Sequence, residues 1–308
     1  MLALVAAPGR PGGIELREVA EPAAAPNEAV VAVDAVSLNR GEVMALRAAG
    51  DGTRAGWDVA GTVAQPAADG SGPREGTRVV GLVTSGGWAQ RCAAATGFLA
   101  PIPDSLSTTA AATLPVAGLT ALHTLYTGGL TETKRVLVTG AAGGVGRFAV
   151  QIAAHNAAAV TAIVGSERRG AGLRDLGADE VSIGMPDDGE YDIILESVGG
   201  ASLAQALRLV APGGRIVSFG CSSGEPTTFD VPTFFRQHGA RLCGFRLIPE
   251  LQQTGSAVHD LVNLADQLAT GHLTAQVDLE LDWHEAATAF DALLSRAVPG
   301  KAILRIPQ

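Results

Sequence analysis

The residues best suited to chemistry by type and spacing lie in RVLVTGAAGGVGRFAVQIAA, from Arg135 to Ala154. Val136, Leu137, Val138 and Thr139 form an apolar, β-branched run that ends at Gly140. Gly143, Gly144, Val145 and Gly146 then lead into Phe148, Ala149, Val150, Ile152 and Ala153, which read as a buried helix. The pattern predicts a strand, a tight glycine turn and a helix. Glycines at 140, 143 and 146 let the backbone turn sharply, approach a diphosphate with no Cβ in the way, and pack the helix closely on the strand. The free N–H groups and positive dipole end of that helix then face the anion. A nucleoside-triphosphatase phosphate loop would need Gly-x4-Gly-Lys-Ser/Thr. Val145 and Arg147-Phe148 stand in the places of its second glycine and following residues, so that class is excluded.

A second apolar strand, Ala159 to Val164, follows at the distance a right-handed βαβ crossover requires. A rival chemistry is suggested by Gly220-Cys221-Ser222-Ser223-Gly224, which matches the Gly-x-Ser-x-Gly nucleophile elbow of hydrolases. In such an elbow the serine starts a helix, whereas here Glu225-Pro226 and Pro232 follow, so the geometry is missing. Cys92, Cys221 and Cys243 are odd in number and never spaced Cys-x-x-Cys. That argues against a disulfide framework or a cysteine zinc cluster and favours a reducing compartment. None of the six histidines is paired at ligand spacing.

The elements that must position these residues fall into two patterns. Up to about residue 112 the chain reads as short strands at Leu2–Ala6, Ile14–Glu18, Glu28–Ala35, Val59–Ala64, Thr77–Val83 and Trp88–Ala93, broken by Pro and Gly clusters, as in a barrel-like module. Ser107 reads as a helix N-cap, and Pro115 separates two helical pieces. Strands and helices then alternate to about residue 247: a helix at Ala171–Leu176, strands at Glu180–Ile183 and Tyr191–Leu195, a helix at Ser202–Leu209, and strands at Arg215–Phe219 and Leu242–Leu247. This alternation predicts a doubly wound parallel sheet. The tail reads as helix 257–268, strand 275–281, helix 284–294 and strand 301–306, and is expected to complete the first module. The domains expected are 1–116 with 248–308, and 117–247.

Hydrophobic residues make up 47% of the 308 and aromatics 4%, so the core must be built from Ala, Val and Leu. A formal charge of −9 argues against nucleic acid or anionic membrane as a main partner. With neither a signal-like h-region nor a membrane-spanning stretch, a soluble cytoplasmic protein is expected.

Nearly the whole chain resembles the medium-chain dehydrogenase/reductase superfamily, in its zinc-free NADPH:quinone oxidoreductase and enoyl reductase branch. The likeness is carried by SLNRGEVMALR (37–47), GWDVAGTV (56–63), REGTRVVGLV (74–83), LPVAGLTALHTL (114–125), VLVTGAAGGVG (136–146), LGADEV (176–181), YDIILESVGG (191–200), GGRIVSFGCSSG (213–224) and GKAILRI (300–306). It implies an α/β protein with a GroES-like, β-rich catalytic domain and a Rossmann dinucleotide-binding domain. It also implies no metal. Where zinc-dependent members carry a Cys-His pair, a His-Glu pair and a further Cys, this chain has Leu38-Asn39, Trp57-Asp58 and a residue near Ala117.

The cofactor implied is NADPH. An NAD-type site places an acid at the end of the second strand; Gly165 stands there, with Ser166, Glu167, Arg168 and Arg169 after it. Ser166 and Arg169 match the positions that hold the 2′-phosphate in the quinone reductases, and Arg168 is beside them. The bland alternative is a solvated helix start, with Glu167 accepting a ribose hydroxyl.

For the nicotinamide the resemblance points to Asn39, Thr120, Val198, Gly199, Phe219, Gly220 and Cys221; core packing is the plain alternative for Val198 and Phe219. Asn39 is also the catalytic candidate, as hydrogen-bond donor to the oxyanion formed when hydride reaches a quinone or α,β-unsaturated carbonyl, with Arg40 or Arg47 as substitutes. Met44 stands where some quinone reductases carry a tyrosine, and reads more readily as core than as function. Asp58 reads as a buried, turn-capping aspartate rather than an acid in the cleft. The substrate expected is a small electron-poor molecule. An enoyl-thioester or alkenal reductase, or a catalytically silent NADPH-binding protein, are the alternatives. A homodimer through the sheet edge at 241–247 is expected.

Overall fold

The computed structural model describes residues 1–307, which divide into two compact units: Met1–Leu119 with the segment from Leu251 onward, and Thr120–Glu250.

The first unit begins with β1 (Leu2–Ala6) and β2 (Ile14–Glu18), an antiparallel pair. Then come β3 (Glu28–Leu38), helix α1 (Arg40–Arg47), β4 (Asp58–Gln65), β5 (Arg78–Leu82), β6 (Arg91–Ala95) and β7 (Leu99–Pro101). Alternation of buried Val and Ala along β3 and β4 points one face of each strand into a core that also takes in Trp88, Trp283 and Phe290. The predicted strand at Trp88–Ala93 is displaced to Arg91–Ala95. Trp88 is instead fully buried and packs against Phe290 with ring centroids 5.1 Å apart. Side-chain burial there outweighs β-propensity.

Ser107 caps α2 (Thr108–Ala111), accepting from the Ala110 N–H, and Pro115 sits in a π-helical turn, Leu114–Gly118, that leads into α3 (Leu119–Gly128). In the second unit follow β8 (Arg135–Val138), α4 (Gly144–His155), β9 (Ala159–Val164), α5 (Glu167–Gly170), β10 (Glu180–Ile183), β11 (Tyr191–Glu196), α6 (Gly200–Leu209), β12 (Val210–Ser218), α7 (Val231–Phe235) and β13 (Arg241–Gly244). All five strand pairings are parallel, in the order β10-β9-β8-β11-β12-β13. The chain enters at β8, runs outward to β10, then returns to β11 and runs the other way. The direction therefore reverses between β8 and β11, the switch point at whose carboxyl side such sheets bind ligands.

Two expectations fail here. The helix predicted at Ala171–Leu176 is a run of turns, because Gly172 and Gly177 take φ of +76° and +102° and break the helical path; the helix present is the shorter α5 before it. The strand predicted over Leu242–Leu247 stops at Gly244, and Leu247 opens α8 (Leu247–Thr254).

From Leu251 the chain rejoins the first unit through α9 (Val258–Ala269), β14 (Val277–Asp282), α10 (Ala286–Leu294) and β15 (Lys301–Arg305). The larger sheet of this unit has the order β14-β15-β3-β4-β5-β7, with β6 also paired to β3. The tail thus supplies two of its strands. Among the described residues, no helix is long and apolar enough to cross a membrane.

Gly61 shows how closely β3 and β4 approach at the register shift between Val33 and Ala35: a Cβ there would lie 2.0 Å from the Ala32 carbonyl oxygen. Since that neighbour is backbone, Gly61→Ala is expected to lower unfolding free energy by about 3 kcal/mol, measured by denaturant titration. An unchanged midpoint would contradict this packing.

Candidate cofactor and active site

The glycine turn is built as its spacing predicts. Gly140 takes φ +60°, and a Cβ on it would come within 2.6 Å of Ser197 Oγ. Gly143 is the N-cap of α4, and Gly144, Val145 and Gly146 form its first turn. Gly146 lies hard against the turn: a Cβ would meet the Gly140 carbonyl oxygen at 2.5 Å and Ala141 Cα at 2.6 Å. The turn thus packs too tightly on itself for side chains at Gly140 and Gly146, and it leads into the amino end of a twelve-residue helix, an arrangement that fits a diphosphate.

At the carboxyl ends of β11 and β12, Val198-Gly199 and Phe219-Gly220-Cys221 come together. Ser222 N donates to Ser197 O and Ser223 N to Val198 O. The fully buried Glu196 organises this edge: its carboxylate accepts from Val198 N and Gly199 N, each at 3.0 Å. Thr139, at the end of β8, adds a bond from Ser197 N to its Oγ1 at 2.8 Å. The switch point is therefore tied across β8, β11 and β12. Thr120 is buried in the first turn of α3. Ser166 and Arg168 are exposed and Arg169 is half-buried, all at or within the short α5 beyond the end of β9. Sequence reasoning passed over Glu196; its only signal was a charged residue ending the apolar run YDIIL.

In the first unit, three adjacent strands end at one level. Lys301 opens β15, Asn39 follows β3, and Asp58 opens β4. Lys301 Nζ donates to Asn39 Oδ1 at 2.8 Å, to Leu38 O at 3.3 Å and to Asp58 Oδ2 at 3.5 Å. Asn39 Nδ2 donates to Asp58 Oδ2 at 2.8 Å and to Glu42 Oε1 at 3.1 Å. Glu42 also accepts from Asn39 N and Trp57 N, closing the start of α1. Asp58 Oδ1 accepts from Val116 N at 2.8 Å.

The reading of Asp58 as a buried aspartate agrees with this, although it holds a distant backbone N–H rather than its own turn. The expected donor role of Asn39 requires correction: its amide nitrogen already donates to Asp58 Oδ2 and Glu42 Oε1. Flipping the amide would set its oxygen against the Asp58 carboxylate and its NH2 against the Lys301 ammonium. Arg40 donates to Leu294 O and Arg47 to Asp291, so neither stands idle as a substitute. Met44 is not core; it is 53% exposed.

Burial and the adjacent Asp58 charge push the Glu42 carboxyl up to about 8, while burial raises Asp58 and lowers Lys301. At the positions of zinc ligands in related dehydrogenases, Leu38 and Ala117 are buried and apolar, and Asp58 is committed to Lys301 and Val116. These residues do not fit a zinc ion.

Two outcomes follow from this geometry. Gly146→Ala is expected to destabilise the second unit by about 2 kcal/mol or more, whereas Gly143→Ala, whose Cβ would meet only the Gly140 oxygen and at a less severe 3.3 Å, should lower the melting temperature clearly less. Equal melting of the two would contradict the close helix–turn packing. The folded Glu42 keeps its proton from the unfolded value of 4.5 up to about 8, so its contribution makes stability fall as pH rises through that window. Glu42→Gln should flatten that fall between pH 5.5 and 8 in urea titrations; an unchanged slope would contradict the raised value.

Comparison with known proteins adds the family. A model described as zinc-binding dehydrogenase matches residues 144–263. The chain is 34% identical over 92% of its length to the spectinabilin polyketide synthase protein NorB of Streptomyces orinoci, but spans only 13% of that protein. It is 30% identical to YhfP of Bacillus subtilis, assigned as a quinone oxidoreductase, covering 82% of this chain and 80% of that one. Among solved structures, AibC superposes with a TM-score of 0.88 at 25% identity, covering 100% of this chain and 96% of the other. Escherichia coli quinone oxidoreductase complexed with NADPH gives 0.86 at 22%, covering 99% of each. With its β-rich unit, its glycine turn at the switch point of a parallel sheet and these relatives, the chain belongs to the medium-chain dehydrogenase/reductase family, in the quinone oxidoreductase and enoyl reductase branch.

Proposed function

We propose that this protein is a zinc-independent, NADPH-dependent reductase of a quinone or another α,β-unsaturated carbonyl compound. The observation that carries the reading is the glycine turn Gly140–Gly146, so closely packed on itself at Gly140 and Gly146 that no Cβ fits, leading into the amino end of α4 at the switch point of a parallel sheet. The NADPH complex of the E. coli relative supports the cofactor. So does Gly165, which puts no acid at the end of β9, with Ser166, Arg168 and Arg169 following to meet a 2′-phosphate. Bound NADPH would supply hydride to the electron-poor carbon. The chain's own residues bind and orient: the N–H groups that open α4 hold the diphosphate, and Val198-Gly199 and Phe219-Gly220-Cys221, stiffened by Glu196, shape the nicotinamide side. Asn39 belongs to the proposal as a residue of fixed orientation, Lys301 and Asp58 holding its amide, while solvent supplies the proton.

The polyketide synthase relatives favour a second reading, reduction of an enoyl thioester. A homodimer is proposed through β13, the outer strand of its sheet, where Leu242 is 46% exposed.

The test is loss of reduced-nicotinamide absorbance with NADPH or NADH against a 1,4-quinone, an enone and an enoyl thioester in parallel, with chelator present. Turnover with NADPH that survives chelator is expected. Equal use of NADH would overturn the role of Arg169, and turnover confined to the thioester would establish the second reading. Silence with every acceptor while NADPH binds would point to a binding protein that keeps the fold.

A further inference from the structure

Arg147 is a charged residue of the glycine-turn helix whose burial the diphosphate chemistry does not explain. It directly follows Gly146 and is only 5% exposed, though a guanidinium is costly to remove from water. Its donors reach two separate loops. Nε donates to the Ala142 carbonyl at 3.3 Å, inside the glycine turn. Nη2 donates to the Ala171 carbonyl at 3.2 Å, immediately after α5. Gly172, the next residue, takes a φ of +76°, and a Cβ there would only touch Nη1 at 3.9 Å.

What lies between those loops matters. Ser166, Arg168 and Arg169 sit at or within α5, a helix of four residues in which the Ser166 side chain makes no cap bond. One turn of helix does not hold its own place. It is anchored before by the end of β9 and after by Ala171 and the buried Leu173. The guanidinium therefore spans from the turn that meets the diphosphate to the segment that follows the phosphate-discriminating residues.

We infer that Arg147 is a positioning residue that tethers the Ser166–Ala171 segment to the glycine turn and so sets this protein's preference for a 2′-phosphorylated nucleotide. The inference rests on the NADPH reading above. A shorter apolar residue would fill the space at less desolvation cost, but would leave the Ala171 carbonyl and α5 free to shift relative to the glycine turn. The planar fork of arginine reaches both carbonyls at once, which a lysine ammonium on a single stem does not.

The experiment compares adenosine 2′,5′-bisphosphate with adenosine 5′-monophosphate by calorimetry on the full chain, with no acceptor present. Hydrogen exchange over residues 166–177 is measured alongside. The parent should prefer the bisphosphate. Arg147→Met should cut that preference about three- to tenfold, the worth of one or two hydrogen bonds, with monophosphate affinity little changed and exchange over 166–177 faster. Arg169→Ala should lose the preference without faster exchange through the rest of that segment, which separates the contact from its tether.

Equal weakening of both nucleotides in Arg147→Met would overturn the inference, because the residue would then serve the glycine turn alone. If that variant does not fold, Arg147→Gln, long enough for Ala142 but too short for Ala171, decides: a retained preference overturns the inference and a lost one supports it. A parent with no preference would overturn the NADPH reading and this inference with it. A parent preference lost in Arg169→Ala but kept in Arg147→Met would overturn only the inference.

Discussion

Lys301 is a cation with almost no contact with water, and the amino-terminal ends of β15 and β4 and the carboxyl end of β3 are arranged to give it partners. An ammonium buried alone would cost far more than the net stability of a domain allows, so Asp58, Asn39 and the Leu38 carbonyl must be where they are. The register does this. Ala302 pairs with Leu38 and Ser37 with Asp58, which sets Lys301, Asn39 and Asp58 at one level across three neighbouring strands. Glu42 joins through the first turn of α1, and its reluctance to ionise brings the buried group close to neutrality.

The consequence for chemistry is that the Asn39 amide has one orientation. An asparagine at the end of a strand is ordinarily free to turn over; here the Asp58 carboxylate on one side and the Lys301 ammonium on the other remove the choice. The second unit applies the same device. Glu196 spends its oxygens on Val198 and Gly199 N–H groups, and Thr139 on Ser197, so the strand ends at the switch point are tied to one another rather than left as loops. In both units a buried acidic side chain at a strand end fixes the groups around it.

Much of this was legible in the chain. The glycine spacing at 140, 143 and 146 gave the strand–turn–helix, and alternation of apolar strands and helices gave the parallel sheet, because both are local patterns with one steric solution. The buried ionic cluster was not legible. Lys301 and Asn39 are 262 residues apart, and a lysine after Gly300 looks like any lysine at the start of a strand. Nothing in the local sequence around Glu42 or Arg147 marked either as a buried charge. The helix expected at Ala171–Leu176 failed for a local reason, two glycines at positive φ, that composition flags but periodicity hides.

The sequence by itself therefore determined most of the elements, the glycine turn and the family, since these follow from hydrophobic period, glycine placement and motif order along the chain. Only the tertiary structure decided which charged residues are buried, which way the Asn39 amide faces, and that Arg147 bridges two loops. Those outcomes depend on strand register and on the desolvation of charges brought together from distant segments, and no local pattern encodes them.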